Sequence, residues 1–122
     1  MITVPGFLLR RLYVKGSLRN NEEGFEYQIK NSLGAGYAHR MLPLKVDEQD
    51  VPIQDSYFTI DAETTTFSAV SHETPFSLAM GTVTTIYVKG ITLDKGPHKI
   101  AMGFVVKGLG ELKFDFTDEI KD

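Results

Sequence analysis

His39 and Arg40 are the residues of this chain best suited by type and setting to do chemistry. They follow Gly34, Ala35 and Gly36, with Tyr37 and Ala38 between. Small residues let backbone N–H groups come close to an anion, and an arginine can clamp a carboxylate or phosphate through two parallel hydrogen bonds. The competing reading is a glycine loop, residues 31–40, whose histidine and arginine face water. A phosphate-cradling glycine loop normally opens a helix, and nothing after Gly36 carries helical periodicity. The dinucleotide-binding and phosphate-loop glycine patterns are both absent. Tyr37, His39 and Arg40 are therefore the candidate ligand-binding or interface residues. No catalytic residue, metal ligand or cofactor is assigned.

Other groupings point more weakly to chemistry. Asp47, Glu48, Asp50 and Asp55 offer oxygen ligands close together, as calcium requires. Their spacing does not match the twelve-residue calcium loop, and its internal glycine is missing, so a solvated turn is the expectation. His39, His72 and His98 could form a metal site only if the fold gathered them, because no pair has the i, i+2 spacing of strand-borne ligands. His98 stands where a turn feeds a strand, which favours a structural role. His72 and Glu73 could pass a proton in principle, but they read as an exposed loop before Pro75. Ser56, Ser71 and Ser77 lie in no nucleophile-elbow context. Most aromatic residues fall at inward strand positions, with Tyr37, Tyr57 and Phe76 at loop or strand margins.

The elements that must position these groups are strands. From Lys99 to Lys107, Ile100, Met102, Phe104 and Val106 share one parity, and from Glu111 to Thr117, Leu112, Phe114 and Phe116 do the same. Such alternation marks strands with one buried and one wetter face. Gly108, Leu109 and Gly110 join the two. Phe25, Tyr27 and Ile29 alternate with Glu26, Gln28 and Lys30 in a third strand, and residues 7–18 read as the strand that pairs with it across a polar turn at 19–24. Residues 41–46 resume an extended pattern, with Pro43 favouring an edge position. Residues 57–60 read as a short strand. Residues 82–89 are apolar on both parities and read as a central strand covered on both faces. Leu93 is expected in the core, residues 118–122 are expected to fray, and the arrangement of 61–80 stays open. The expected fold is all-β: one mainly antiparallel β-sandwich domain over residues 1–122, with about eight strands.

Composition narrows the function classes. The chain has no cysteine, which excludes disulfides, thiolate nucleophiles and cysteine-held metal sites. A net charge of −3 argues against a nucleic-acid partner bound through a basic surface. Phe7, Leu8 and Leu9 are cut short by Arg10 and Arg11, so neither a membrane span nor a signal peptide is read there, and a cytoplasmic location is the expectation.

Several stretches resemble a known family. Gly24-Phe25-Glu26-Tyr27-Gln28-Ile29, then Tyr37-Ala38-His39-Arg40-Met41-Leu42-Pro43-Leu44, then Val46-Asp47-Glu48-Gln49-Asp50-Val51-Pro52, resemble the small β subunits of C-glycoside-deglycosylating enzymes. Leu93-Asp94-Lys95-Gly96-Pro97-His98-Lys99-Ile100 is similar to their strand entrance. The resemblance implies a β-sandwich that packs on a larger barrel-shaped catalytic subunit, where the metal and most of the chemistry reside. Val4-Pro5-Gly6-Phe7-Leu8-Leu9, with residues 12–18, also resembles small uncharacterised prokaryotic β-sandwich proteins, some labelled hydroxymethylglutaryl-CoA reductase. Hydride transfer needs a dinucleotide site and an acid/base set, and neither is read here. The expected function is a non-catalytic interaction module, either accessory subunit or homo-oligomer, with a protein partner and no nucleic acid or membrane. The alternative is a binder of an anionic or sugar-like ligand, or a minor enzyme, using residues 34–40.

Overall fold

Buried and exposed positions alternate along most of the chain, and the elements follow from that pattern. The computed structural model describes residues 4–120. In chain order these form helix α1 (Gly6–Leu9) with a 3₁₀ turn at Arg10–Leu12, then β1 (Arg19–Asn20), β2 (Gly24–Lys30), β3 (Gly36–Met41), β4 (Lys45–Val46) and β5 (Gln49–Asp50). There follow β6 (Ser56–Ile60), β7 (Glu63–Thr66), β8 (Phe76–Leu78), β9 (Val83–Lys89), β10 (Gly96–Val106) and β11 (Gly110–Ile120). Further 3₁₀ turns stand at Ile53–Asp55 and Phe67–Ala69. The strand number exceeds the expected eight because three of the strands, β1, β4 and β5, are two residues long.

Two antiparallel sheets make the sandwich. The first has the order β1-β2-β9-β6-β7, and the second β5-β4-β10-β3-β8 with β11 beside β10. Inward side chains of both sheets form one core, including Phe25, Tyr27 and Ile29 from β2, Ile86 and Val88 from β9, and Ile100, Met102 and Phe104 from β10. Leu93 is buried in it as expected. β10 and β11 pair along their whole lengths, Gly96 opposite Ile120 and Val106 opposite Gly110. β9 is central in its sheet, between β2 and β6. Its outer face is only half covered, so the apolar groups of both parities reflect centrality rather than burial on two sides.

The N-terminal segment departs from the strand expected over residues 7–18. Leu9 and Leu12, three residues apart, turn one helical face inward, and the Pro5 carbonyl accepts hydrogen bonds from the Leu8 and Leu9 amides. This segment packs on β11, and Arg10 Nε donates to the Asp115 carbonyl at 2.7 Å. It thereby covers the edge of β11 that no strand among the described residues pairs, and a bare edge of that length would invite association. The hairpin partner of β2 is instead β1, with Arg19 opposite Glu26, and Asn21 Oδ1 accepts the Glu23 and Gly24 amides in the turn.

Three further corrections follow from register. Residues 36–41 are strand, not loop, because β3 is pinned between β8 and β10. Pro43 interrupts a strand rather than lying within one: β3 and β4 pair with successive stretches of β10 on either side of it. The expected fraying at 118–122 does not hold for residues 118–120, which continue β11 with Ile120 buried; residues 121 and 122 lie outside the described residues.

Candidate functional site

The candidate residues lie on β3, and an irregularity in that strand decides where they point. Met41 pairs with Phe104, Arg40 with Val105, and Ala38 with Val106, so His39 is an extra residue without an opposite number. Such a bulge breaks the two-residue alternation. Ala38 and Met41 are buried, while Tyr37, His39 and Arg40 all lie on the solvent side of the second sheet.

The three side chains do not share one site. Tyr37 and His39 line a shallow recess of about 370 Å³ with His72, Pro75 and Lys107. There the His39 and His72 rings stack, with centroids 4.1 Å apart and planes within 14°. The pairing of β8 with β3 brings the His72 loop into reach. Tyr37 is 60% exposed. Arg40 borders a separate open groove of about 600 Å³ with Leu42, Lys45, Glu111, Lys113 and Asp115. In it Lys45 lies 3.9 Å from Asp50 and Lys113 lies 2.8 Å from Glu111, whereas Arg40 makes no ion pair among the described residues. Gly103 forms part of the floor, because a Cβ there would meet Leu42 Cδ1 at 2.9 Å and Lys113 Cγ at 3.0 Å.

Gly34, Ala35 and Gly36 do not form an anion cradle. The Gly34 amide is already given to Asn31 Oδ1 at 3.3 Å. All three residues border an apolar pocket of about 180 Å³. This pocket was not read from the sequence. Its only local signals were the three-residue spacing of Leu9 and Leu12 and the lone leucines Leu33 and Leu109 in otherwise polar turns.

The remaining candidates are dispersed. His98 lies apart from the other two histidines, its Nδ1 2.6 Å from Asp47 Oδ2 and its Nε2 2.7 Å from the Asp94 carbonyl. The hydrogen bond that His98 donates to Asp47 raises the His98 pKa, while the Lys99 amide first and His98 second lower that of Asp47. Asp47 and Glu48 occupy the β4–β5 turn with φ of 49° and 75°. Glu48 is held ionised by Lys99, 3.0 Å away. Among the described residues, no three histidine, cysteine or acidic side chains gather in a way that could hold a metal ion. Phe76 stands at the margin of β8, as expected, but is fully buried, and Tyr57 stacks on Tyr87 at 5.0 Å on the outer face of the first sheet. No helix of the described residues is long and apolar enough to cross a membrane.

A family model described as hydroxymethylglutaryl-CoA reductase, N-terminal domain, matches residues 8–121. The chain belongs to this family. The match spans every strand of both sheets, including the β3 bulge and both recesses beside it. A search of curated proteins gives no match.

Proposed function

We propose that this member of the family is a non-catalytic interaction module, an accessory part of a larger enzyme or of a homo-oligomer, which docks through the bulged face of β3. The observation that carries the reading is the His39 bulge, which turns Tyr37, His39 and Arg40 outward together. Tyrosine and arginine are favoured anchors in protein interfaces, and bulges commonly re-aim side chains for such use. The family description, of an N-terminal domain of a reductase, fits a unit that stands beside a larger catalytic part. The stretches that resemble the small β subunits of C-glycoside-deglycosylating enzymes support the same role. They include Tyr37 to Leu44, the bulge itself.

The test is the double variant Tyr37→Ala and Arg40→Ala. Both side chains are exposed, so its melting temperature should match wild type, while the assembly that the proposal expects for the wild type on size exclusion of source-cell extract should be lost. Unchanged assembly overturns the assignment.

One observation favours a second reading. Arg40 faces a groove where the other two cations, Lys45 and Lys113, are already paired. That arrangement suits an anionic or sugar-like small molecule held by the guanidinium. It predicts a saturable thermal shift with such a ligand that Arg40→Ala abolishes while assembly stays intact.

A further inference from the structure

Among the described residues, the sandwich does not close at one end. Between the N-terminal helical segment, the loop after β2 and the β10–β11 hairpin lies the pocket of about 180 Å³, walled by Leu9, Leu12, Leu78, Phe104, Val106 and Leu112. Leu33 and Leu109 stand at its margin, 39% and 37% exposed. Nothing would lie within 4 Å of a Cβ on Gly34, so the side of the glycine loop is open.

Volume and wall chemistry together define an occupant. Protein interiors seldom leave voids larger than a water molecule. A dry cavity of about 150 Å³ with leucine, isoleucine and phenylalanine walls is enough to take up benzene. The polar side chain in the wall, Asn31, has nothing left to give. Its Nδ2 donates to the Gly34 and Leu78 carbonyls, both at 2.7 Å, and its Oδ1 accepts the Leu33 and Gly34 amides at 3.1 and 3.3 Å. A polar group entering the pocket would lose its water and find no free side-chain partner in the wall. An apolar group would lose water from its own surface and from the leucines, and would gain the dispersion contacts that the void lacks.

We propose that this pocket binds the uncharged hydrocarbon part of a small molecule, a ring or short chain of about six to eight carbons. Any polar remainder stays outside, at the margin formed by Leu33 and Leu109. The site is independent of the docking face, since Tyr37, His39 and Arg40 do not line it.

The test titrates the full chain with benzene and with 1-hexanol, and with butane-1,4-diol as the polar control, while methyl NMR follows the lining leucines. The expected result is saturable shifts confined to those leucines with the first two probes and none with the diol. The melting temperature should rise by about 5 °C at ten times the dissociation constant. Ala35→Phe places a ring at the exposed mouth and should abolish both effects. If that variant does not fold, Leu109→Trp at the opposite margin serves the same purpose. Absence of saturable shifts up to the solubility of both benzene and 1-hexanol overturns the proposal, as do shifts that survive a folded blocking variant. A self-associating chain that Ala35→Phe renders monomeric, without any response to hydrocarbon, also overturns it, in favour of a protein side chain as the occupant.

Discussion

His98 and Asp47 clasp each other between the entrance of β10 and the β4–β5 turn, Nδ1 to Oδ2 at 2.6 Å. The other ring nitrogen meets a carbonyl, that of Asp94, at 2.7 Å. Both neighbours are acceptors, and only the imidazolium can donate to both at once. The second oxygen of Asp47 accepts the Lys99 amide at 2.9 Å, so one carboxylate fixes both the ring and the backbone of the strand that follows.

This relationship fixes a pH dependence. The pKa of His98 is raised above its ordinary 6.5, chiefly by Asp47, so its contribution to stability is complete below 6.5 and is lost as pH climbs through the raised value. The pKa of Asp47 is lowered below 3.8, so its contribution is present above 3.8 and is lost as pH falls through the lowered value. The pair therefore contributes most between these limits. Thermal melts of wild type and His98→Gln should differ more at about pH 5.5 than at about pH 8.5. An equal or larger difference at the alkaline pH would contradict the pairing. Asp47 is half exposed, so the effect should be modest and should shrink in high salt.

Two glycines should respond oppositely to the same substitution. A Cβ on Gly24 would lie 2.0 Å from the Val88 carbonyl oxygen and 3.1 Å from that of Ile91, both backbone atoms of the neighbouring segment. Gly24→Ala must push β2 away from β9 and should cost about 3 kcal/mol or more. Gly34 has open space and no positive φ, so Gly34→Ala should leave stability unchanged or raise it by up to about 1 kcal/mol. Urea titration of both variants gives the comparison, and a Gly24→Ala protein as stable as wild type would refute the close approach.

The contrast between what was and was not legible in the sequence has the same local causes. Phe25, Tyr27 and Ile29, and the inward sets of β10 and β11, could be read because an undisturbed strand buries every second residue. β3 could not, because the extra residue His39 shifts the phase: Ala38 and Met41 are inward although three apart, and the stretch looks like loop. The helical turn at Gly6–Leu9 is too short to show a period, and the role of this segment against the edge of β11, where Arg10 reaches Asp115, 105 residues away, is tertiary. The stacking of His39 on His72 likewise depends on β8 joining β3, which no local pattern announces. The turn at Asp47 and Glu48 was legible as a turn, yet both residues hold positive φ without glycine, and only the Lys99 and His98 contacts explain what keeps those side chains there.

Ser56 offers a stabilising change. It is fully buried at the start of β6, opposite Val88, and its Oγ finds no hydrogen-bond partner among the described residues. An unpaired buried hydroxyl costs about 1–3 kcal/mol, while alanine forfeits only a few contacts. Ser56→Ala should raise the melting temperature by a few degrees, equivalent to about 1 kcal/mol. A fall would mean that the hydroxyl is satisfied.

Two tyrosines, Tyr13 partly buried and Tyr27 wholly so, should likewise differ in what their hydroxyls are worth. Tyr13 stacks on Phe116 with centroids 3.6 Å apart, and its hydroxyl donates to Asp118 Oδ2 at 2.6 Å while accepting the Leu18 amide at 3.1 Å. Tyr27 is wholly buried, and among the described residues its hydroxyl meets only the Met102 thioether, at 3.3 Å. Phenylalanine keeps either ring, so each substitution isolates a hydroxyl. Tyr13→Phe removes a charge-assisted bond and leaves an amide unpaired, which should cost about 1.5 kcal/mol or more. Tyr27→Phe gives up a weak bond to sulfur and should change stability by less than about 0.5 kcal/mol. Burial first, and the bond to Asp118 second, push the Tyr13 phenol up to about 12 from 10.0. Its contribution is therefore complete below pH 10 and is lost as pH rises toward 12. Urea unfolding of wild type and Tyr13→Phe should accordingly show a gap at about pH 9 that narrows by about pH 11. A gap that widens with pH, or a Tyr27→Phe loss as large as that of Tyr13→Phe, would show that these hydroxyls are not bonded as described.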